Sequence, residues 1–106
     1  MAGYVYALEL KDKSSLYCYV GATQNINKRL YEHLHGIGSN ITKQFGIERI
    51  LLIDTYGSVH DALLTESLMH SNQRKDRQWK PEICNCEHLD LTQIASYLRI
   101  ISVFHV

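Results

Sequence analysis

The chain has 106 residues, of which 45% are hydrophobic and 21% charged, and its formal net charge is zero. A chain of this length buries about 65% of its unfolded surface, which is enough for one modest core and excludes an intrinsically disordered protein. The zero net charge argues against a nucleic-acid binder with a large basic field. The sequence has neither the roughly 20 consecutive apolar residues that span a bilayer nor a secretory signal. We therefore expect one cytoplasmic domain over residues 1–106 that does not associate with membranes.

A β-hairpin is predicted at the start of the chain. Residues 4–10 and 16–20 have the aromatic and β-branched composition of strands, and the polar residues 11–15 form the turn between them. Gly21 is expected to end the second strand.

An amphipathic helix should follow, with its N-cap at Thr23 or Asn25. Its apolar residues recur at helical spacing and form one stripe, made of Ile26, Leu30, Leu34 and Ile37, and Gly36 and Gly38 are expected to end the helix. Arg29 and His33 are four residues apart, so they share one face of this helix and border the stripe. An arginine there can hold a phosphate with its planar fork of donors or cover apolar surface with its stem. A histidine at the border of a helix is often simply solvated.

The second half of the chain continues with alternating elements. A short helix is predicted over residues 40–45, with Gly46 as its terminator, and the apolar run inside residues 48–56 is typical of a strand buried on both faces. Ser58 and Asp61 resemble a capping box that starts a helix reaching about Arg74. Residues 91–101 favour a last helix, although residues 100–106 also have the composition of a strand.

Glu66 is the most informative acidic residue, because its neighbours on the predicted helix are mostly apolar. They are Ala62, Leu63, Met69 and His70. A carboxylate on such a stripe costs several kcal/mol unless it is paired, protonated or bound to a metal. The alternatives are a salt bridge to Arg29 or Arg49 and a site for a divalent cation, since Mg²⁺ is often held by one carboxylate together with phosphate oxygens and water.

The order of these residues resembles the GIY-YIG nuclease family. Tyr4-Val5-Tyr6 and Tyr19-Val20-Gly21 resemble its two tripeptides, and Thr23, Arg29 and His33 follow at the expected offsets. Glu66 and the stretch from Pro81 to Asn85 complete the pattern, so the resemblance covers residues 3–85 and leaves 86–106 as a C-terminal extension. Tyr4 stands where the first motif usually has glycine, and Val20 replaces isoleucine.

The resemblance implies an α+β fold with a small three-stranded antiparallel sheet flanked by helices. It also implies an endonuclease that hydrolyses phosphodiester bonds in duplex or branched DNA with Mg²⁺ or Mn²⁺. Tyr6 and Tyr19 would be the active-site tyrosines, with Tyr6 as general base, and Arg29 would stabilise the phosphate. Glu66 would bind the metal, His33 would fill the polar position after the arginine, and Asn85 would help order the site. Arg29 or a bound cation would have to lower the Tyr6 pKa from about 10 for this phenol to act as a base.

Several cations are expected to contact phosphates along a duplex without reading its sequence. They are Lys28, Arg49, Arg74, Lys75, Arg77 and Lys80, and the last four, against Asp76, give a local net charge of +3. A solvated helix end is the alternative for that patch. Trp79 beside it either stacks on an exposed base or packs against the sheet.

Two other functions remain open at this point. The chain could be a catalytically silent GIY-YIG-like module that binds nucleic acid or protein. It could also use Cys84, Cys86 and His88 as zinc ligands, but their spacing is tight and only three ligands are near one another, so free thiols are favoured.

Overall fold

The computed structural model describes residues 2–87. They form three strands and three helices in the order β1 (Gly3–Leu10), β2 (Cys18–Thr23), α1 (Ile26–Leu34), α2 (Asn40–Phe45), β3 (Ile47–Tyr56) and α3 (Val59–Lys75). The predicted last helix over residues 91–101 and the alternative strand over 100–106 lie outside the described residues. Within residues 2–87, no helix is both long and apolar enough to cross a membrane.

The strands form one antiparallel sheet in the order β2-β1-β3. The predicted α+β fold with a three-stranded antiparallel sheet is therefore confirmed. In the middle of the sheet, Tyr6 of β1 lies opposite Gly21 of β2 and Ile53 of β3. Gly21 does not end β2 as predicted, because Ala22 and Thr23 continue the pairing with β1.

Each face of the sheet carries its own hydrophobic cluster, because side chains alternate along a strand. One, which we call the α3 cluster, includes Val5, Val20 and Ala62 and packs under α3. The other, which we call the α1 cluster, includes Tyr6, Leu8 and Leu30 and packs under α1.

The prediction that β3 is buried on both faces is confirmed for residues 50–52 in its middle, whereas residues 48, 49 and 55 are exposed. The pairing with β1 shifts register between Ala7 and Leu8, where Ala7 pairs with Leu52 but Leu8 pairs with Ile50. This irregularity places Leu51 and Leu52 with the α3 cluster, whereas Ile50 stays with the α1 cluster.

Side-chain caps fix where the helices begin. Asn25 is the N-cap of α1 and accepts a hydrogen bond from the Lys28 amide at 3.1 Å, and Ser58 caps α3 as predicted. The apolar stripe predicted for α1 is too long. The helix ends at Leu34, and Ile37, beyond Gly36 with its φ of 75°, is 68% exposed.

Residues 76–87 cross the sheet without forming a helix or strand. The Tyr17 amide donates to the Arg77 carbonyl at 3.0 Å, which ties this segment to the start of β2. Trp79 packs against the α3 cluster, as the packing interpretation of this residue predicted. Cys18, Cys84 and Cys86 are all free thiols.

Candidate functional site

The two tyrosines of the hairpin lie on the same face of the sheet. Their ring centroids are 6.3 Å apart; Tyr6 is 1% exposed and Tyr19 is half-buried. Gly21, directly opposite Tyr6, leaves the space that the phenol occupies, because a Cβ there would overlap the Tyr6 hydroxyl and Cζ. The glycine of the second tripeptide is therefore required by packing against the tyrosine of the first.

His33 completes the contacts of the Tyr6 phenol. Its Nε2 lies 2.7 Å from the Tyr6 hydroxyl, and its Nδ1 lies 3.0 Å from Oγ1 of Thr42. The imidazole also lies against the Tyr19 ring, with 5.0 Å between centroids. His33 is only 2% exposed, so the interpretation of a solvated histidine at the helix border is wrong.

Arg29 approaches the same phenol from one helical turn earlier. Its guanidinium lies near the Tyr6 hydroxyl, which raises the pKa of Arg29, and its side chain is 36% exposed. A weak ion pair joins Arg29 Nη1 to Glu32 Oε1 at 3.7 Å. The predicted shared face of Arg29 and His33 is confirmed, because both side chains converge on Tyr6.

Tyr6, Tyr19, Arg29 and His33 together form what we call the phenol cluster, and burial decides its protonation. It raises the pKa of the Tyr6 hydroxyl well above its usual range, and the neighbouring Arg29 offsets only part of this effect. Arg29 alone therefore does not produce the lowered Tyr6 pKa that a free phenolate base would require. Burial and the nearby Arg29 charge lower the pKa of His33 to about 4. At neutral pH the cluster thus holds a protonated phenol, a neutral imidazole and a guanidinium.

Glu66 lies on α3, near enough to Tyr6 for its carboxylate to affect the pKa of that phenol. Its i−4 neighbour Ala62 is fully buried and its i+3 neighbour Met69 packs on the core, but Leu63 is 48% exposed, so the inward stripe is narrower than predicted. The Glu66 carboxylate acts on the Tyr6 hydroxyl electrostatically and raises its pKa, as the smallest of the resolved causes. Nε2 of His70, one helical turn later, lies 3.9 Å from Oε2 of Glu66.

The salt-bridge alternative for Glu66 is not observed. Arg29 contacts Glu32, and Nε of Arg49 lies 3.4 Å from Oε1 of Glu9. The Glu66 side chain is 25% exposed and its contact with His70 is longer than a hydrogen bond, so its oxygens are available to a ligand.

The donors present suit a weakly held hard cation. No group of three or more histidine, cysteine, aspartate or glutamate side chains within residues 2–87 is placed to hold a metal ion. A single available carboxylate beside a phosphate site is one way in which Mg²⁺ is bound, with substrate oxygens and water completing the shell. Of the zinc ligands considered above, Cys84 and Cys86 are free, and His88 lies outside the described residues.

Asn85 lies at the outer edge of β3. Its side-chain amide accepts from the Ile53 N–H at 3.0 Å and donates to the Ile53 carbonyl at 2.8 Å. Ile53 is the sheet partner of Tyr6, so Asn85 supports the strand next to the tyrosine without touching the phenol cluster.

The predicted phosphate-contacting cations are not all in one place. Lys28 lines a cleft of about 390 Å³ together with Arg29, next to the phenol cluster. Arg77 and Lys80 lie near the start of β2, since the Arg77 carbonyl accepts from the Tyr17 amide at 3.0 Å and Nζ of Lys80 lies 5.6 Å from the Tyr17 ring centroid. All four cations of the patch in residues 74–80 are exposed. They are Arg74, Lys75, Arg77 and Lys80. Arg49 is exposed but engaged by Glu9.

Two residues of the cluster were missed by the sequence interpretation. Thr42 is 3% exposed and contacts His33, and Ser39 contacts Thr42. The sequence signal available was the helix start at Ser39, whose side chain accepts from the Thr42 amide. That signal predicts a cap but does not predict a contact with His33 on another helix.

Comparison with known proteins agrees with this arrangement. The sequence model of the GIY-YIG catalytic domain matches residues 2–82. The chain is also 33% identical over 79 residues to the UPF0213 protein BH0048 of Halalkalibacterium halodurans, which covers 74% of this chain and 81% of that protein. No solved structure matches it significantly. The chain therefore belongs to the GIY-YIG family, a family of the nuclease type.

Proposed function

We propose that this protein is a metal-dependent endonuclease that hydrolyses phosphodiester bonds in DNA. The observation that carries the proposal is the hydrogen bond of 2.7 Å between Tyr6 and His33, with the Arg29 guanidinium facing the same phenol. A buried proton acceptor, a phenol and a cation within one cluster are the groups that activation of water at a phosphate requires.

Arg29 is the phosphate-stabilising residue in this proposal. Its planar guanidinium offers several donors to phosphate oxygens, and its partial exposure leaves them accessible from the cleft. Negative charge that gathers on those oxygens during the reaction is stabilised by a donor already in position.

Tyr6 passes a proton rather than acting as a free phenolate. Its raised pKa keeps the phenol protonated at neutral pH, and the neutral His33 beside it can take that proton. The attacking water gives a proton to the Tyr6 oxygen while the phenol proton moves to His33 Nε2. Tyr19, which is half-buried between these rings and the solvent, orients the water or the phosphate.

Glu66 is the residue that would hold a divalent cation, Mg²⁺ or Mn²⁺. When bound, the ion supplies Lewis-acid stabilisation of the phosphate and the departing oxygen. Lys28 extends the phosphate path along the cleft, and the exposed cations of residues 74–80 position a longer duplex.

Nicking of supercoiled plasmid in Mg²⁺ or Mn²⁺ tests the proposal, alongside linear, branched and single-stranded DNA. Glu66→Gln should lower the rate by about 100-fold or more, because it removes the metal carboxylate. Glu48→Gln is the matched control, since Glu48 is exposed on β3, and it should cleave like the natural chain.

Equal cleavage by the natural chain and Glu66→Gln would contradict the assignment of the metal ligand. Absence of cleavage on every substrate would contradict the enzyme itself. DNA binding without cleavage would then favour the catalytically silent binding module.

A further inference from the structure

We infer that Thr42, held by Ser39, is a positioning residue that keeps His33 in the tautomer protonated on Nδ1, so that Nε2 faces Tyr6 as an acceptor. This inference rests on the proposed function for its catalytic meaning. The arrangement itself is a property of the folded chain that can be measured without a substrate.

The first step concerns the single proton of the Tyr6 hydroxyl. Arg29 lies near the phenol but carries only donors, so Tyr6 cannot donate its proton to it. Tyr6 is 1% exposed, and a buried hydroxyl proton requires a partner. Nε2 of His33, at 2.7 Å, is the acceptor that remains. The Tyr6 proton therefore points to His33, and Nε2 carries a lone pair.

The second step follows the imidazole to its other nitrogen. A neutral histidine with a free Nε2 is protonated on Nδ1, which lies 3.0 Å from Oγ1 of Thr42. The Thr42 oxygen accepts this proton, and its own hydroxyl is directed at the Ser39 carbonyl at 3.4 Å. The hydrogen bonds thus run in one direction, in which Tyr6 donates to His33, His33 donates to Thr42, and Thr42 donates to Ser39.

Ser39 fixes the orientation of Thr42. Its Oγ accepts from the Thr42 backbone amide at 3.0 Å and lies 3.0 Å from Thr42 Oγ1. It therefore acts as the cap of α2 and as a second contact to the hydroxyl that receives His33. Among residues 2–87, no buried side-chain nitrogen or oxygen lacks a hydrogen-bond partner, so this assignment leaves no unsatisfied group.

The turn before α2 also limits rotation of the ring. A Cβ at Gly38 would lie 2.6 Å from Nδ1 of His33 and 2.7 Å from its Cγ, so the backbone there packs directly on the imidazole. The ring is held by packing on one side and by hydrogen bonds at both nitrogens. A histidine oriented in this way can take a proton without first turning.

The proton balance of the reaction explains what this arrangement contributes. As the water oxygen bonds to phosphorus and the bond to the 3′-oxygen breaks, the Tyr6 oxygen gains the water proton and loses its own to Nε2. The imidazolium then keeps its Nδ1–H bond to Thr42 until Nε2 returns its proton to the Tyr6 oxygen, which passes one proton on to solvent, and the departing oxygen is protonated from solvent. The Nε2-protonated tautomer would have no lone pair facing Tyr6.

Nitrogen-15 NMR of histidine-labelled protein tests the inference, with His33→Gln identifying the His33 signals. The natural chain and Thr42→Ser should both show a protonated Nδ1 and an unprotonated Nε2. Thr42→Val, which keeps the shape but removes the hydroxyl, should move the two shifts toward each other and lower plasmid nicking by about 10- to 100-fold. Thr42→Ser should restore most of that rate.

A natural chain with His33 protonated on Nε2, or a Thr42→Val variant with unchanged shifts, would overturn the inference. Normal shifts in a natural chain that cleaves nothing would support the tautomer lock and remove the proposed function instead. If Thr42→Val does not fold, Ser39→Gly replaces it, because glycine is tolerated at an N-cap with little loss of stability. It should shift the His33 signals in the same direction by a smaller amount, and unchanged signals there would also overturn the inference.

Discussion

The buried imidazole of His33 should make this protein sensitive to mild acid. Its pKa falls from 6.5 in an exposed histidine to about 4 in the folded chain. Between those values the unfolded chain binds more protons than the folded one, so stability decreases as the pH is lowered. At 1.36 kcal/mol per pH unit the full effect approaches about 3 kcal/mol, and about 2 kcal/mol of it is expected between pH 7 and pH 5.

Urea unfolding at pH 7 and pH 5 measures this effect. His33→Gln removes the titrating group and serves as the reference, because it stays neutral at both pH values. The natural chain should lose about 2 kcal/mol more unfolding free energy than the variant between the two conditions. The pKa of Asp12 is lowered from 3.8 by hydrogen bonds from Ser14, so this carboxylate affects stability only below the pH range of the assay. Parallel losses in the natural chain and the variant would refute the assignment of a buried neutral His33.

Three further outcomes are expected from other parts of the structure. Gly21→Ala should destabilise the chain by about 1–3 kcal/mol and abolish nicking, because the new methyl group displaces the phenol, whereas Gly57→Ala, in open space, should do neither. Asn85→Ala should lower the urea unfolding free energy by about 1–3 kcal/mol, through two lost hydrogen bonds to β3, and unchanged stability would contradict the contact. Lys28→Ala should make the slope of the logarithm of the DNA-binding constant against the logarithm of salt concentration shallower by about one, the value of one lost phosphate contact. An unchanged slope would exclude Lys28 from the phosphate path.

The elements that the sequence predicted well are those with local signals. Ser58 as an N-cap and Gly46 as a terminator lie within a few residues of the groups that they satisfy, so α2 and the start of α3 were predictable. The continuation of β2 past Gly21 was not, because it depends on pairing with Tyr4, which is distant in sequence. Gly36 was predicted to close α1, and the helix ends just before it, but Ile37 was wrongly included in the stripe, because an apolar residue in the right phase does not extend a helix past its C-cap.

In the candidate site, too, features with a local sequence signal were predictable, whereas contacts between residues distant in sequence were not. Arg29 and His33 were placed on one face by their spacing alone, and the family resemblance joined them to the tyrosines. The raised pKa of Tyr6 could not be predicted from the sequence, because it depends on burial that only the packed sheet and α1 create. Thr42 could not be linked to His33, since the contact is set by the turn that brings α2 back over α1.

The pairing of residues 85 and 86 with β3 has a consequence for how molecules of this protein meet. The Cys86 amide donates to the Leu51 carbonyl at 3.0 Å, and Asn85 occupies both backbone groups of Ile53. These contacts occupy groups that a neighbouring chain would otherwise use to add a strand. The stretch after Pro81 thus shields this margin of the sheet from self-association, and shortening the protein before residue 85 would leave it open to aggregation.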